Sequence, residues 1–257
     1  MGQYQWNWAV IFEKVAGTEE YYYQWILSGL GWTVVTALSA WLIALTLGVL
    51  IGVARTAPMA WLSGLARAYV ELFRNIPLIV QLFIWYFVVP DLLPEHIGTW
   101  IKQDLRGVVS FTDYLPEFLF GVLGLGLFTA ARVAEQVRTG IMTLPRGQRY
   151  AGLAMGFTLP QTYRFVLLPM AFRVIIPPLT SEFMNVFKNS AVCLAIGLTE
   201  LTFQMKQITG EYAPANPIEV MTMVGGLYLT MAFGVNRLMA WIERRSRVPG
   251  YIAEGGK

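Results

Sequence analysis

The sequence predicts an all-α, polytopic integral membrane protein with five transmembrane helices, and three observations carry that reading. Of its 257 residues, 56% are apolar and 14% charged, where an ordinary soluble domain has about 25% charged residues. Apolar stretches of membrane-crossing length recur along the chain. Basic residues are distributed very unevenly among the connections between them. A soluble chain this apolar would expose large patches. The same composition excludes disorder, a collagen-like repeat, a coiled coil and a disulfide scaffold. Cys193 is the only cysteine and His96 the only histidine, so no internal disulfide and no His/Cys metal cluster are available, and no metal site is expected. The net charge of +3 is small, and no nucleic-acid partner is expected.

Residues 1–24 form an N-terminal segment whose Trp6, Trp8, Tyr21, Tyr22 and Tyr23, with Trp25 just beyond, suit a membrane–water interface. The first span covers about 25–54, since Ile26 to Val53 holds no charged residue. It is too long for a signal-peptide core, no basic segment leads into it, and it is expected to stay uncleaved. The second covers about 65–90, with Glu71 and Arg74 near its start and a kink expected at Pro77. Gln81 is expected to hydrogen-bond a neighbouring helix. The third covers about 118–142 and the fourth about 174–201, the latter interrupted by Pro177 and Pro178. The fifth covers about 220–242, within a domain of 25–245 that leaves a tail of 246–257. Gly48 and Gly52 in the first span, and Gly121, Gly124 and Gly126 in the third, are expected to allow close helix contact.

Five spans put the termini on opposite sides. Thirteen basic residues fall on one side: Arg55, Arg67, Arg74, Arg138, Arg146, Arg149, Arg164, Arg173, Arg237, Arg244, Arg245, Arg247 and Lys257. Only Lys14, Lys102, Arg106 and Lys206 fall on the other. The positive-inside rule therefore predicts an N-terminus outside, a cytoplasmic C-terminus and a cytoplasmic 143–173 loop.

Charges inside spans need partners or a water-filled path. Arg132, Glu135 and Arg138 stand three apart on one helical face, and Glu182, Asn185, Lys188 and Asn189 form a second stripe at steps of three and four. They either pair across helices, line a translocation route, or do acid–base work. The last lacks a nucleophile–base pair or metal ligand set. Glu71 and Arg74, also three apart, read as a local ion pair or a contact to a partner's loop.

The 143–173 loop reads as two short helices. Pro145, Gly147 and Gly156 punctuate a first one, in which Gln148 is followed by the small residues Ala151, Gly152 and Ala154. Thr158 and Gln161 have capping-box spacing for a second, which is expected to stop or kink at Pro169. The pattern resembles the cytoplasmic signature of ABC importer permeases: Glu-Ala-Ala, three residues, Gly, nine residues, Ile, one residue, Leu-Pro. Gly156, Val166, Leu168 and Pro169 reproduce the spacing, and the Glu-Ala-Ala is degenerate, reading Tyr150-Ala151-Gly152. Glu71-Leu72-Phe73-Arg74-Asn75-Ile76-Pro77 through Gln81 resembles the second-span motif of the polar amino-acid branch, and Asn185 through Lys188-Asn189-Ser190 its fourth-span motif. Within that branch the chain is most similar overall to glutamate/aspartate importer permeases.

The resemblance implies the fold of a type I ABC importer permease with a cytoplasmic coupling helix, in which Gly147, Gln148, Ala151, Gly152, Ala154, Gly156 and Pro169 serve ATPase coupling. It implies a bacterial inner membrane with the N-terminus in the periplasm, a second permease subunit, generally a different chain, two ATP-binding subunits and a periplasmic amino-acid-binding protein. ATP and magnesium then belong to the partner ATPase, and this chain is no enzyme and binds no cofactor. In agreement, none of its five lysines is followed by Ser or Thr, so no P-loop exists. The branch usually carries an aromatic residue at the place of Arg132, followed by matches to Ala134, Glu135 and Arg138. A guanidinium there suits a substrate carboxylate, and Arg132, Glu135, Glu182, Asn185, Lys188 and Asn189 are the expected substrate path. The rivals are a self-sufficient ion-coupled carrier or channel using Glu135, Glu182 and Lys188, and an integral-membrane enzyme.

Overall fold

A computed structural model describes residues 6–107, 113–210 and 217–246. Glu211, Arg247, Lys257 and the tail beyond Ser246 lie outside them. The described chain is helical, with α1 at Tyr22–Thr56, α2 at Ala60–Asn75, α3 at Leu78–Leu92 and α4 at Glu95–Lys102. There follow α5 at Leu115–Met142, α6 at Arg146–Ala154, α7 at Leu159–Ile196, α8 at Leu201–Gly210 and α9 at Pro217–Ser246. Four of these are long and apolar enough to cross a membrane, and α2 with α3 make a bent fifth.

The closest packing is α1 against α5, and glycine makes it possible. A Cβ on Gly48 would sit 2.6 Å from Val133, and one on Gly52 would sit 2.7 Å from the Ala134 carbonyl oxygen. With no hydrophobic drive between helices in lipid, such backbone approach supplies the dispersion contacts that hold spans together. Trp41 of α1 then stacks on Phe183 of α7, ring centroids 4.7 Å apart, which ties the third long helix to the pair. Cys193 is buried beside Gly121, a packing residue.

The second expected span is a sharper feature than a proline kink. The axes of α2 and α3 differ by 104°. Ile76 is extended because the residue before a proline is driven out of the helical region, and Pro77 then opens α3. Gln81 bonds the end of α2 rather than another span: its Nε2 donates to the Phe73 and Ile76 carbonyls at 2.8 Å each. One amide thus satisfies two carbonyl groups that the bend leaves open.

The fourth span also differs. Helix starts at Leu159, not near Val174, and passes through Pro169, Pro177 and Pro178 without stopping. A π turn at Tyr163–Leu167 precedes Pro169, with the Leu168 N–H reaching back to the Tyr163 carbonyl. An identical device at Ile84–Val88 precedes Pro90. Slipping to an i→i+5 bond absorbs one residue of register just where proline lacks a donor. At the other end α7 stops at Ile196, because Gly197 takes φ +88° and turns the chain, so residues up to Leu201 do not extend the span.

Candidate functional site

The charged residues of the spans separate into two clusters. In the first, Arg132 of α5 places Nε 2.7 Å from Glu182 Oε2 and Nη2 3.2 Å from Oε1 on α7. The Glu182 side chain is 9% exposed and that of Arg132 39%. This fork uses one edge of the guanidinium; Nη1 donates to no described residue, and the Phe128 ring lies 5.9 Å from the guanidinium carbon. Along α7, Asn185 and Asn189 are half-buried, while Lys188 is exposed and meets no carboxylate within ion-pair distance among the described residues. Lys188 lines an opening of about 440 Å³ toward Gly225 and Tyr228 of α9.

The second cluster is centred on Glu135, which sequence spacing alone placed with Arg132. Arg138 reaches it from the next turn, at 2.5 Å from Nη2 and 3.1 Å from Nε. Arg55, at the end of α1, also binds it, and Arg74 of α2 stands 3.8 Å away. Glu71 and Arg74 are therefore not partners of one another; Glu71 faces Arg67 at 3.5 Å. Arg55 carried no sequence signal beyond being the first charge after a long uncharged run.

At the opposite end two acidic residues were missed. Glu117 of α5 takes hydrogen bonds from Tyr86 Oη at 2.6 Å and from Arg106. Glu200, fully buried, caps α8 by accepting from the Thr202 and Phe203 N–H groups at 2.9 and 2.8 Å, and takes a third bond from Tyr228 Oη at 3.0 Å. An acid directly before a helix start was a signal that could have found it. Burial nevertheless pushes its carboxyl up to about 7. Because the folded value lies above the ordinary one, the native state binds the extra proton, so stability falls as pH rises from about 4.5 to about 7. Melting of the purified protein is expected at a lower temperature at the alkaline end, and Glu200→Gln should flatten that slope. An unchanged slope in the variant would locate the dependence elsewhere.

The loop residues also divide. Gly152 faces inward: a Cβ there would lie 2.8 Å from Thr162 Cγ2 at the start of α7. Gly147, Tyr150, Ala151 and Ala154 are exposed, and Gln148 is half-buried. Gly156 ends α6 at φ +86°, and the capping box of Thr158 and Gln161 then opens α7. Pro169 is exposed on the same long helix.

The structure thus combines a bundle with a broken span, a small-residue helix seated on the start of α7 and charge clusters at helix crossings. The chain belongs to the family of binding-protein-dependent transport system inner membrane components, matched over residues 44–248, and is an ABC importer permease. It is 47% identical, over 98% of both chains, to the glutamate/aspartate import permease protein GltJ of Escherichia coli (strain K12). It is 27% identical to the glutamate/aspartate import permease protein GltK of Escherichia coli O6:H1, covering 95% of this chain and 99% of that one. Among solved structures it resembles an amino acid ABC transporter crystallised with histidines, at a TM-score of 0.69 and 27% identity over 87% of this chain and 95% of that one.

Proposed function

We propose that this chain is the membrane subunit of an ATP-driven importer for an acidic amino acid, glutamate or aspartate. The observation that carries the substrate class is the open edge of Arg132, with the unpaired Lys188 six residues beyond Glu182 on α7. A substrate side-chain carboxylate can take the free guanidinium edge while Glu182 keeps the other, so binding does not first have to break the pair. Lys188 supplies a second cation for the α-carboxylate, and the half-buried Asn185 and Asn189 supply neutral donors between. The near-full-length likeness to a glutamate/aspartate permease supports the same reading.

In the same proposal the arginine-bearing end faces the cytoplasm and the N-terminus the periplasm. The exposed face of α6 receives an ATP-binding subunit, its small side chains allowing close backbone approach. Gly152 presses that helix onto the first turn of α7, so a displacement of α6 moves the helix that carries Glu182 and Lys188. Two ATP-binding subunits, a second permease chain and a periplasmic binding protein complete the system. ATP and magnesium are held by the ATP-binding subunits.

Co-reconstitution with the chains of its transport system is expected to give labelled glutamate uptake that requires both ATP and the ATP-binding subunit. Uptake without either would favour a self-sufficient carrier driven through Glu135, Glu182 and Lys188. ATP hydrolysis without any response to glutamate or aspartate would remove the substrate assignment and leave the architecture.

A further inference from the structure

The Glu135 cluster is overcharged. Four guanidinium groups, from Arg55, Arg67, Arg74 and Arg138, face two carboxylates, Glu71 and Glu135. The Arg67–Glu71 pair is open to solvent and contributes little. Glu135 has two oxygens and is shared by three arginines, so it cannot occupy the donors of all of them. Beside it lies a cavity of about 520 Å³ between α1, α2 and α5, lined by Arg55, Arg67, Arg138, Ser63, Gly64 and Met142. Nothing stands within 4 Å of the place a Gly64 Cβ would take, so the cavity is open at that point of α2.

What flanks it indicates the source of the missing anion. Met142 at the end of α5 is an exposed apolar lining residue, and the exposed Trp61 and Leu65 each follow a lining residue of α2, Ala60 and Gly64, on the adjoining helix surface. A free anion needs only the arginines and the Ser63 hydroxyl. A phosphate that arrives with acyl chains also covers the apolar rim, and tryptophan beside arginine suits the headgroup level of a bilayer.

We propose that this cavity is a binding site for the phosphate of an anionic phospholipid, held by Arg55, Arg67 and Arg138 with its acyl chains along Trp61 and Leu65. The proposal rests on the arginine-bearing end lying at the cytoplasmic leaflet, as proposed above. Lipid retention in detergent does not depend on the direction of insertion or on transport, so its outcome is separate from that of the uptake assay.

The test is native mass spectrometry of the purified transporter complex incubated with phosphatidylglycerol or phosphatidylcholine of matched chains. Arg55 and Arg138 hold Glu135 and are left intact. Arg67→Gln removes one phosphate ligand, and Gly64→Glu puts a carboxylate into open space without disturbing packing. Preferential retention of phosphatidylglycerol is expected, reduced about fivefold by Arg67→Gln, the effect of roughly one such charge, and abolished by Gly64→Glu. Equal retention of both lipids, or variants that retain phosphatidylglycerol as the parent does, would overturn the proposal. So would full displacement of the lipid by inorganic phosphate alone, which would make this a free-anion site. Loss of the ATP-binding subunit from Gly64→Glu with lipid retention unchanged would also overturn it, assigning the arginines to an acidic protein partner.

Discussion

Glu135→Ala is expected to destabilise the protein by roughly 3–5 kcal/mol, the scale for removing one partner of a buried ion pair. Arg55 is the reason: its side chain is 11% exposed, and Glu135 is the carboxylate within its reach. Without Glu135, three guanidinium groups from α1, α2 and α5 repel one another at a single crossing. Arg74 is half exposed and can turn away into solvent, whereas the Arg55 side chain is largely enclosed. Glu135→Gln retains an acceptor and should fall between. Combining Glu135→Ala with Arg55→Met should recover much of the loss, because the uncompensated buried charge is gone. Thermal melting of the purified variants measures this, and a single Glu135→Ala that melts with the parent would contradict it.

Removing the two members of the other pair should have unequal consequences. Arg132→Ala strands Glu182, 9% exposed, and is expected to cost about 3–5 kcal/mol. Glu182→Gln strands Arg132, which at 39% exposure can draw on water and on the Phe128 ring, and should cost well under half as much. The asymmetry bears on function, because loss of uptake in Arg132→Ala alone confounds folding with recognition. In Arg132→Gln combined with Glu182→Gln both charges leave together, and stability should lie near that of the parent. If Arg132 serves the substrate, that double variant melts normally and still loses most glutamate uptake. Normal uptake in it would make the pair a packing device and leave Lys188 as the cation to test.

Much of the architecture was legible in the sequence because membrane insertion is a local property. A run without charge from Ile26 to Val53 must be satisfied within itself, and only a helix does so in lipid. Gly48 and Gly52 mark a face where another backbone approaches, and Thr158 with Gln161 marks a helix start; both rest on residues three or four apart. The likeness of the 143–173 loop to an importer permease was readable for the same reason, since its spacing is a contiguous pattern. Spacing left open whether proline would stop or kink a helix, and the stop does not occur. Pro169, Pro177 and Pro178 lie within one continuous α7, because a π turn and the surrounding helices absorb what an isolated helix could not.

The candidate site was legible only as an inventory. Arg132, Glu135 and Arg138 share one face of α5, and nothing local separates them. Yet Arg132 bonds a residue 50 positions away, and Glu135 one 80 positions away. Likewise the bend at Ile76 and Pro77 was foreseen as a kink but not at its 104°, and Gln81 was not foreseen as reaching back to the open carbonyls of α2. By itself the sequence determined that this chain lives in a membrane, that its architecture is helical and which family's loop it carries, since burial in lipid acts over a few residues. Which charge answers which, and which glycine of the loop faces inward, was decided by tertiary structure. Inside a bundle a charge is neutralised by whatever the crossing of two helices brings within about 4 Å.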